Sequence, residues 1–101
     1  ILQAGVGGMA AAMIAGVAKY LNYAPKIIIV EPDNAACVLE SIKFEKIKKI
    51  SIKEESIMGG MSCVEPSLVP WKILKMQHKH LMLGKKMRLG LKLLRHICVI
   101  F

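Results

Sequence analysis

The hydrophobic and polar positions in the first 30 residues follow two different periods. Apolar runs at residues 1–4 and 26–30 are short, and the second is rich in β-branched side chains, which is typical of a strand buried on both faces. Between them, small and aliphatic side chains over residues 9–20 predict a helix, with Lys19 near its C-terminal end, where a cation is favourable. This part of the chain is therefore predicted to form a strand, a helix and a second strand.

The next part of the chain repeats this order with weaker signals. Asn34 follows a turn and is predicted to cap a helix over residues 35–42. A strand over residues 49–53, a loop over 56–61 and a helix over 67–76 follow. The alternation of strands and helices predicts the α/β class, as a partial parallel sheet with flanking helices and right-handed crossovers.

A glycine-rich turn joins the first predicted strand to the first predicted helix. Its glycines lack the side chains that would keep an anion away from the backbone, and the helix dipole adds partial positive charge at this end. The backbone amides of this turn are therefore candidate phosphate ligands; they belong to Gly5, Val6, Gly7, Gly8 and Met9.

The glycine turn is also compatible with a purely structural role. A tight connection that needs glycine only for its backbone shape accounts for the turn without any ligand. The sequence "GVGGMAAA" has no Gly-Lys-Ser/Thr and so is not a P-loop, and Ala10 stands where the dinucleotide-binding fingerprint has its third glycine. The turn alone therefore leaves both roles open.

Composition argues against a membrane span and divides the chain in two. The chain is 54% hydrophobic, but its longest apolar stretch, residues 6–18, is too short, since a span needs roughly 18 to 20 residues. Residues 1–66 carry seven lysines and seven acids, whereas residues 67–101 carry six lysines, two arginines and no acid, which accounts for the net charge of +8. We therefore expect residues 1–74 to form the fold and residues 75–101 to be a basic tail outside it.

Four blocks of sequence resemble one enzyme family. In chain order they are "LQAGVGGMA", "IIIVEPDNAACVLES", "SIMGGMSCVEP" and "PWKIL". They resemble the diaminopropionate ammonia-lyases, which are pyridoxal-phosphate enzymes of the tryptophan-synthase-β-like fold (fold type II), over about residues 1–75. A fragment of a serine/threonine dehydratase is the alternative within the same fold, and "SCVEP" favours the lyase.

The resemblance implies a cofactor, a reaction and a setting. In the family, the glycine-rich turn holds the phosphate of pyridoxal 5′-phosphate through backbone amides, and the block containing Gly59 and Gly60 lines the active site. The family's reaction is the α,β-elimination of 2,3-diaminopropionate to pyruvate and ammonia. The resemblance further implies a small amino-acid substrate, a homodimer and a cytoplasmic location, with no nucleic-acid or membrane partner.

One block matches a divalent-cation site of the related racemases. Glu31 matches an oxygen ligand and Ala35 a carbonyl ligand, but Cys37 stands where a later acid would be. Because Mg²⁺ and Ca²⁺ prefer hard oxygen ligands, we expect no metal here and expect Glu31 to be a partly buried acid bonded to nearby backbone. Cys37 and Cys63 could pair, but two reduced thiols are favoured in a cytoplasmic enzyme.

The resemblance also shows what this sequence lacks. The family's cofactor-bonding lysine and acid–base carboxylates lie upstream of the glycine turn, so no catalytic residue is assigned and the chain alone is expected to be inactive. It opens inside an apolar segment without Met and is expected to be a mid-chain piece of a longer enzyme. A non-catalytic truncated or pseudogene product is the alternative.

Two features near the end of the resemblance carry further hypotheses. Val64 replaces a family glycine before Glu-Pro, and a left-handed backbone there would strain valine. The tail from residue 75 does not resemble the family. One interpretation is a basic amphipathic helix that contacts lipid or nucleic acid, and the other is a reading-frame shift near Leu74.

Overall fold

The structure, a computed structural model, describes residues 1–23, 25–56, 58–82 and 97–100. Within these ranges the chain forms three helices and a small sheet, with two short 3₁₀ turns at Asp33–Ala35 and Gly59–Met61. The strands and helices, in chain order, are β1 (Leu2–Gln3), α1 (Gly8–Tyr20), β2 (Ile29–Pro32), α2 (Cys37–Lys43), α3 (Leu68–Met82) and β3 (Ile97–Ile100).

The first three elements form a β-α-β unit. β1 pairs with β2 in parallel, with Leu2 opposite Ile29, and Ala4 N–H donates to the Val30 carbonyl at 2.9 Å. α1 connects these two strands, because parallel neighbours need a crossover rather than a hairpin. The predicted α/β class and the parallel pair are confirmed. On the other side of β2, β3 pairs antiparallel.

The core lies between this sheet and the helices. Apolar side chains from α1, α2 and α3 meet there, and Leu74 of α3 is 1% exposed. The buried cluster consists of Ala4, Ala10, Ala11, Ile14, Ile29, Cys37, Val38, Ile42, Trp71 and Leu74. Because α1 contributes mainly alanines, its backbone can lie close to its neighbours.

Two predicted strands differ from the observed ones. The second strand spans Ile29–Pro32 rather than residues 26–30, because pairing with the two-residue β1 starts only at Ile29. The strand predicted over residues 49–53 is wrong: the described chain there is irregular. Ile50 N–H donates to the Val64 carbonyl at 2.8 Å, and Ile47 and Ile50 pack against the core. Apolar character in both segments reflects burial rather than strand pairing.

The predicted division between residues 74 and 75 stays a prediction. α3 continues through both residues, and the β3 segment pairs with β2, while residues 83–96 lie outside the described part of the chain. No helix among the described residues combines the length and the apolar character that crossing a membrane requires.

Candidate anion-binding turn

The glycine turn delivers the chain from β1 to the N-terminus of α1. Gly7 is the N-cap, with a left-handed backbone at φ 92°, and the first intrahelical bond runs from Ala11 N–H to the Gly7 carbonyl at 2.9 Å. A left-handed N-cap turns the chain sharply into the helix, which is a conformation that glycine adopts without strain.

The first turn of α1 presents open hydrogen-bond donors. In any α-helix the first four N–H groups have no intrahelical acceptor, and here these belong to residues 7–10. No side chain caps this end, and the first turn holds no acid. Val6 and Met9 are 41% and 50% exposed and Gly8 is exposed as well, whereas Gly7 and Ala10 are buried, so the outward-facing part of the turn centres on Gly8. The arrangement therefore offers several amides and the positive end of a helix dipole to an external anion.

The three glycines of the turn differ in whether the surrounding protein leaves room for a side chain. A Cβ on Gly5 would lie 3.0 Å from Cys63 Sγ and 3.2 Å from the Gly60 carbonyl oxygen, and a Cβ on Gly7 would lie 2.9 Å from Leu74 Cδ1. The space at both positions is therefore filled by the protein itself. A Cβ on Gly8 would meet no atom within 4 Å. Packing accounts for Gly5 and Gly7 but not for Gly8.

The structure brings a second block of the sequence beside this turn. The loop of residues 59–63 contacts Gly5, so Gly60 lies next to the turn. A Cβ on Gly59 or Gly60 would meet no atom within 4 Å. The start of α3 also adjoins the turn, because Ser67 N–H donates to the Val6 carbonyl at 3.0 Å.

A cavity of about 640 Å³ borders the turn at Val6. Its lining combines apolar side chains with two serines and one acid. The lining residues are Val6, Ile47, Ser62, Cys63, Val64, Glu65, Pro66, Ser67 and Leu68. The predicted phosphate turn and the end of the predicted active-site loop therefore border one open space.

Glu31 is a fully buried acid in β2. Its two carboxylate oxygens accept the N–H groups of Val38 and Leu39 at 2.8 and 2.9 Å. The predicted bonding of Glu31 to nearby backbone is confirmed, although the side chain is 0% exposed rather than partly buried. Among the described residues no cluster of three or more His, Cys, Asp or Glu side chains could hold a metal ion.

These bonds correct the predicted start of the second helix. Residues 33–35 form a 3₁₀ turn, α2 begins at Cys37 with Ala36 as its N-cap, and Asn34 instead donates to the Glu54 carbonyl at 2.9 Å. The prediction that Asn34 caps the helix is wrong, because Glu31 supplies the capping oxygens from the preceding strand. The local sequence around Glu31 carries no signal of this capping role.

The stability of the protein is expected to fall as pH rises from 4.5 to 7. Burial raises the pKa of Glu31 to about 7 from 4.5, against the opposing effect of its two backbone hydrogen bonds. Between these values the unfolded carboxyl is ionised while the folded one still holds its proton, so raising the pH favours unfolding. Titration of Glu31 is expected to lower the free energy of unfolding by about 3 kcal/mol across this window. Above pH 7 this group causes no further change in stability.

Urea denaturation at a series of pH values tests this expectation. Glu31→Gln removes the titrating group, so its curve should lack the decline that the wild-type protein shows between pH 4.5 and 7. Glu40→Gln is the control on α2, because Glu40 pairs with Lys43 at the surface and is the smallest of the causes that raise the pKa of Glu31, so the decline should remain in this variant. Equal slopes for the wild type and Glu31→Gln would contradict the assignment.

Cys37 and Cys63 are both free thiols beside the turn. Cys37 is buried and its Sγ donates to the Gly5 carbonyl at 3.4 Å, while Cys63 Sγ lies 3.0 Å from the position of a Cβ on Gly5. Burial, with Glu31 nearby, raises the pKa of Cys37 to about 12, so this thiol stays protonated. Cys37 and Cys63 form no disulfide with each other here, and their reduced state stays a prediction.

The predicted strain at Val64 is wrong. Among the described residues, Glu45 is the one non-glycine residue with positive φ, so Val64 has an ordinary backbone conformation. A β-branched side chain is compatible with that conformation, and Val64 lies instead in the lining of the cavity with its carbonyl bonded to Ile50.

The parallel strands, their helical connection and the open glycine turn define this chain as an α/β segment with a candidate anion site at a helix N-terminus. The chain is similar to the diaminopropionate ammonia-lyase of Escherichia coli K12, at 41% identity over 80 residues. It is similar to the enzyme of the same name from Salmonella typhimurium LT2 at 35% identity over 78 residues. The predicted resemblance to the diaminopropionate ammonia-lyases is therefore confirmed.

The aligned region is most of this chain but a small part of each relative. It includes 74% of this chain, but the chain spans only 19% of the length of these curated relatives. No family model matches the chain. No solved structure matches it.

Proposed function

We propose that the glycine turn binds the phosphate group of pyridoxal 5′-phosphate. The observation that carries this proposal is the uncapped N-terminus of α1, where Gly8 leaves open space that the protein itself does not fill. The amides assigned to the phosphate are those of Gly5, Val6, Gly7, Gly8 and Met9. A phosphate dianion suits this site, because amide donors and the helix dipole stabilise negative charge without a charged side chain.

The similarity to enzymes named diaminopropionate ammonia-lyase supports the wider assignment. We propose that the chain is part of a fold type II enzyme that eliminates ammonia from 2,3-diaminopropionate and gives pyruvate. When bound, pyridoxal phosphate supplies an electron sink that favours loss of the proton from the α-carbon of the amino acid. The residues of this chain bind and orient the phosphate end, and the loop of residues 59–63 borders the same turn.

The setting of the enzyme is part of the same proposal. We expect a homodimer in the cytoplasm that acts on a small amino acid, without nucleic-acid or membrane partners. We expect the cofactor-bonding lysine to lie outside these 101 residues. The isolated chain is therefore expected to bind the phosphate group without catalysing the elimination.

Gly8→Ala separates phosphate binding from folding. The substitution is expected to raise the free energy of unfolding by roughly 0.5 kcal/mol, because alanine is favoured over glycine in a helix and has room here. The same Cβ enters the space assigned to the phosphate, so affinity should fall by about tenfold or more, which corresponds to the loss of one charge-assisted hydrogen bond.

The measurement is equilibrium dialysis of pyridoxine 5′-phosphate against the 101-residue chain. This ligand lacks the aldehyde that would react with surface lysines, and pyridoxine without phosphate is the ligand control. Gly16→Ala is the matched protein control, because Gly16 lies in the same helix with open space around it. Equal binding of pyridoxine, or unchanged affinity in Gly8→Ala, would refute the phosphate assignment.

A further inference from the structure

The buried carboxylate of Glu31 is connected to the glycine turn through α2. It joins β2 to the start of α2 by accepting the Val38 and Leu39 amides. The first turn of α2, held in this way, packs directly against the glycine turn. Cys37 Sγ donates to the Gly5 carbonyl at 3.4 Å, and Val38 Cγ2 lies 3.8 Å from the position of a Cβ on Gly7.

The same strand also fixes the entrance of the glycine turn. Ala4 N–H donates to the Val30 carbonyl at 2.9 Å, immediately before Gly5 in the chain and immediately before Glu31 on the strand. The turn is thus held by β2 at its entrance, through the ladder, and along its length through Glu31 and α2. Most of the residues that make these contacts are shielded from water: Ala4, Gly7, Glu31, Cys37 and Val38 are buried, whereas Gly5, Val30 and Leu39 are partly exposed.

We infer that Glu31 is a positioning residue for the glycine turn and acts through the first turn of α2 and the Cys37 thiol. Its carboxylate fixes α2 at residues 38 and 39, which sets the positions of Cys37 and Val38 against the turn. The expected effect on phosphate binding rests on the proposed function. The effect on the geometry of the turn does not, and it can be tested without a ligand.

The thiol proton of Cys37 makes the hydrogen bond that joins α2 to the glycine turn. Cys37 has one S–H, which donates to the Gly5 carbonyl, and the Glu31 carboxylate is a second acceptor near the same proton. Serine at position 37 retains a donor of similar direction, whereas alanine removes it and leaves the Glu31 bonds to the backbone in place. The pair of substitutions therefore compares the turn with and without a donor at position 37 while the two backbone bonds of Glu31 are kept.

The first measurement is the set of backbone amide chemical shifts in the ligand-free 101-residue chain. Cys37→Ala is expected to move the resonances of Gly5, Val6 and Gly7, and Cys37→Ser is expected to restore them in large part. Glu31→Gln should move the same three resonances in addition to those of residues 38 and 39. Glu40→Gln is the control on α2, and it should leave the turn unchanged.

The second measurement is the affinity of these variants for pyridoxine 5′-phosphate. Cys37→Ala is expected to weaken binding by about fivefold, with rescue by Cys37→Ser, in line with the loss of one ordinary hydrogen bond. If Glu31→Gln fails to fold, the two Cys37 variants still decide the question. Shifts confined to α2 in Cys37→Ala, with no change at residues 5–7, would overturn the positioning role. If the wild-type chain binds no phosphate ligand, the proposed function fails, while the ligand-free shifts still decide the positioning role.

Discussion

Replacing Gly7 with alanine is expected to lower the free energy of unfolding by about 3 kcal/mol, which combines backbone strain of about 1–2 kcal/mol with an overpacking cost of similar size. Gly7 has φ 92°, where side chains other than glycine are strained. A Cβ there would lie 2.9 Å from Leu74 Cδ1 and 3.3 Å from Pro70 Cβ, so α3 would have to move. This cost is a large share of the stability of a small domain, which is about 5–15 kcal/mol.

Urea denaturation followed by far-ultraviolet circular dichroism measures this effect. Gly16→Ala is the matched control, because the same substitution in the same helix meets no atom within 4 Å and should be neutral or stabilising. A Gly7→Ala variant as stable as Gly16→Ala would show that the left-handed conformation at this N-cap is not required.

Leu74→Ala is the second large effect, with an expected loss of about 2–5 kcal/mol in the free energy of unfolding. The Leu74 side chain is 1% exposed and packs in the cluster that joins α3 to the glycine turn. Its removal leaves a cavity among buried residues of three helices, which limits collapse around it. Leu68→Ala is the control on the same helix, because Leu68 is 59% exposed, and it should cost less than about 0.5 kcal/mol.

Combining the two substitutions separates the two costs at Gly7. In the Leu74→Ala background the methyl group that a Cβ at position 7 would strike is gone, whereas the backbone strain remains. Gly7→Ala should therefore cost about 1–2 kcal/mol in that background, and the double-mutant cycle should show a coupling of similar size. Simple additivity of the two single losses would mean that Leu74 does not constrain the turn.

The parts of the fold that depend on local sequence could be predicted. The glycine turn and α1 follow from the run of small residues between two apolar segments, and the parallel pairing follows from the order of strand, helix and strand. The resemblance to the ammonia-lyases also implied that the turn and the block containing Gly59 and Gly60 belong to the same site. The structure brings the turn and the loop of residues 59–63 into contact at Gly5.

The parts that depend on distant residues could not be predicted. Asn34 has the right residue type and place for a cap, but the capping oxygens come from Glu31 on the preceding strand. Residues 49–53 have the alternation of a strand, but Ile50 finds its backbone partner in Val64, which itself lies outside any strand. In both cases a tertiary contact replaced the partner that local propensity favours.

The capping of α2 by a strand residue makes this short helix dependent on the sheet. With seven residues, α2 is far shorter than the roughly 12–15 residues that an isolated helix needs to persist in water. Its first turn exists because β2 presents Glu31 to it, and opening of the strand would release the helix as well. We therefore expect β2, α2 and the glycine turn to open as one cooperative unit, so that local fraying of one of them reaches the other two.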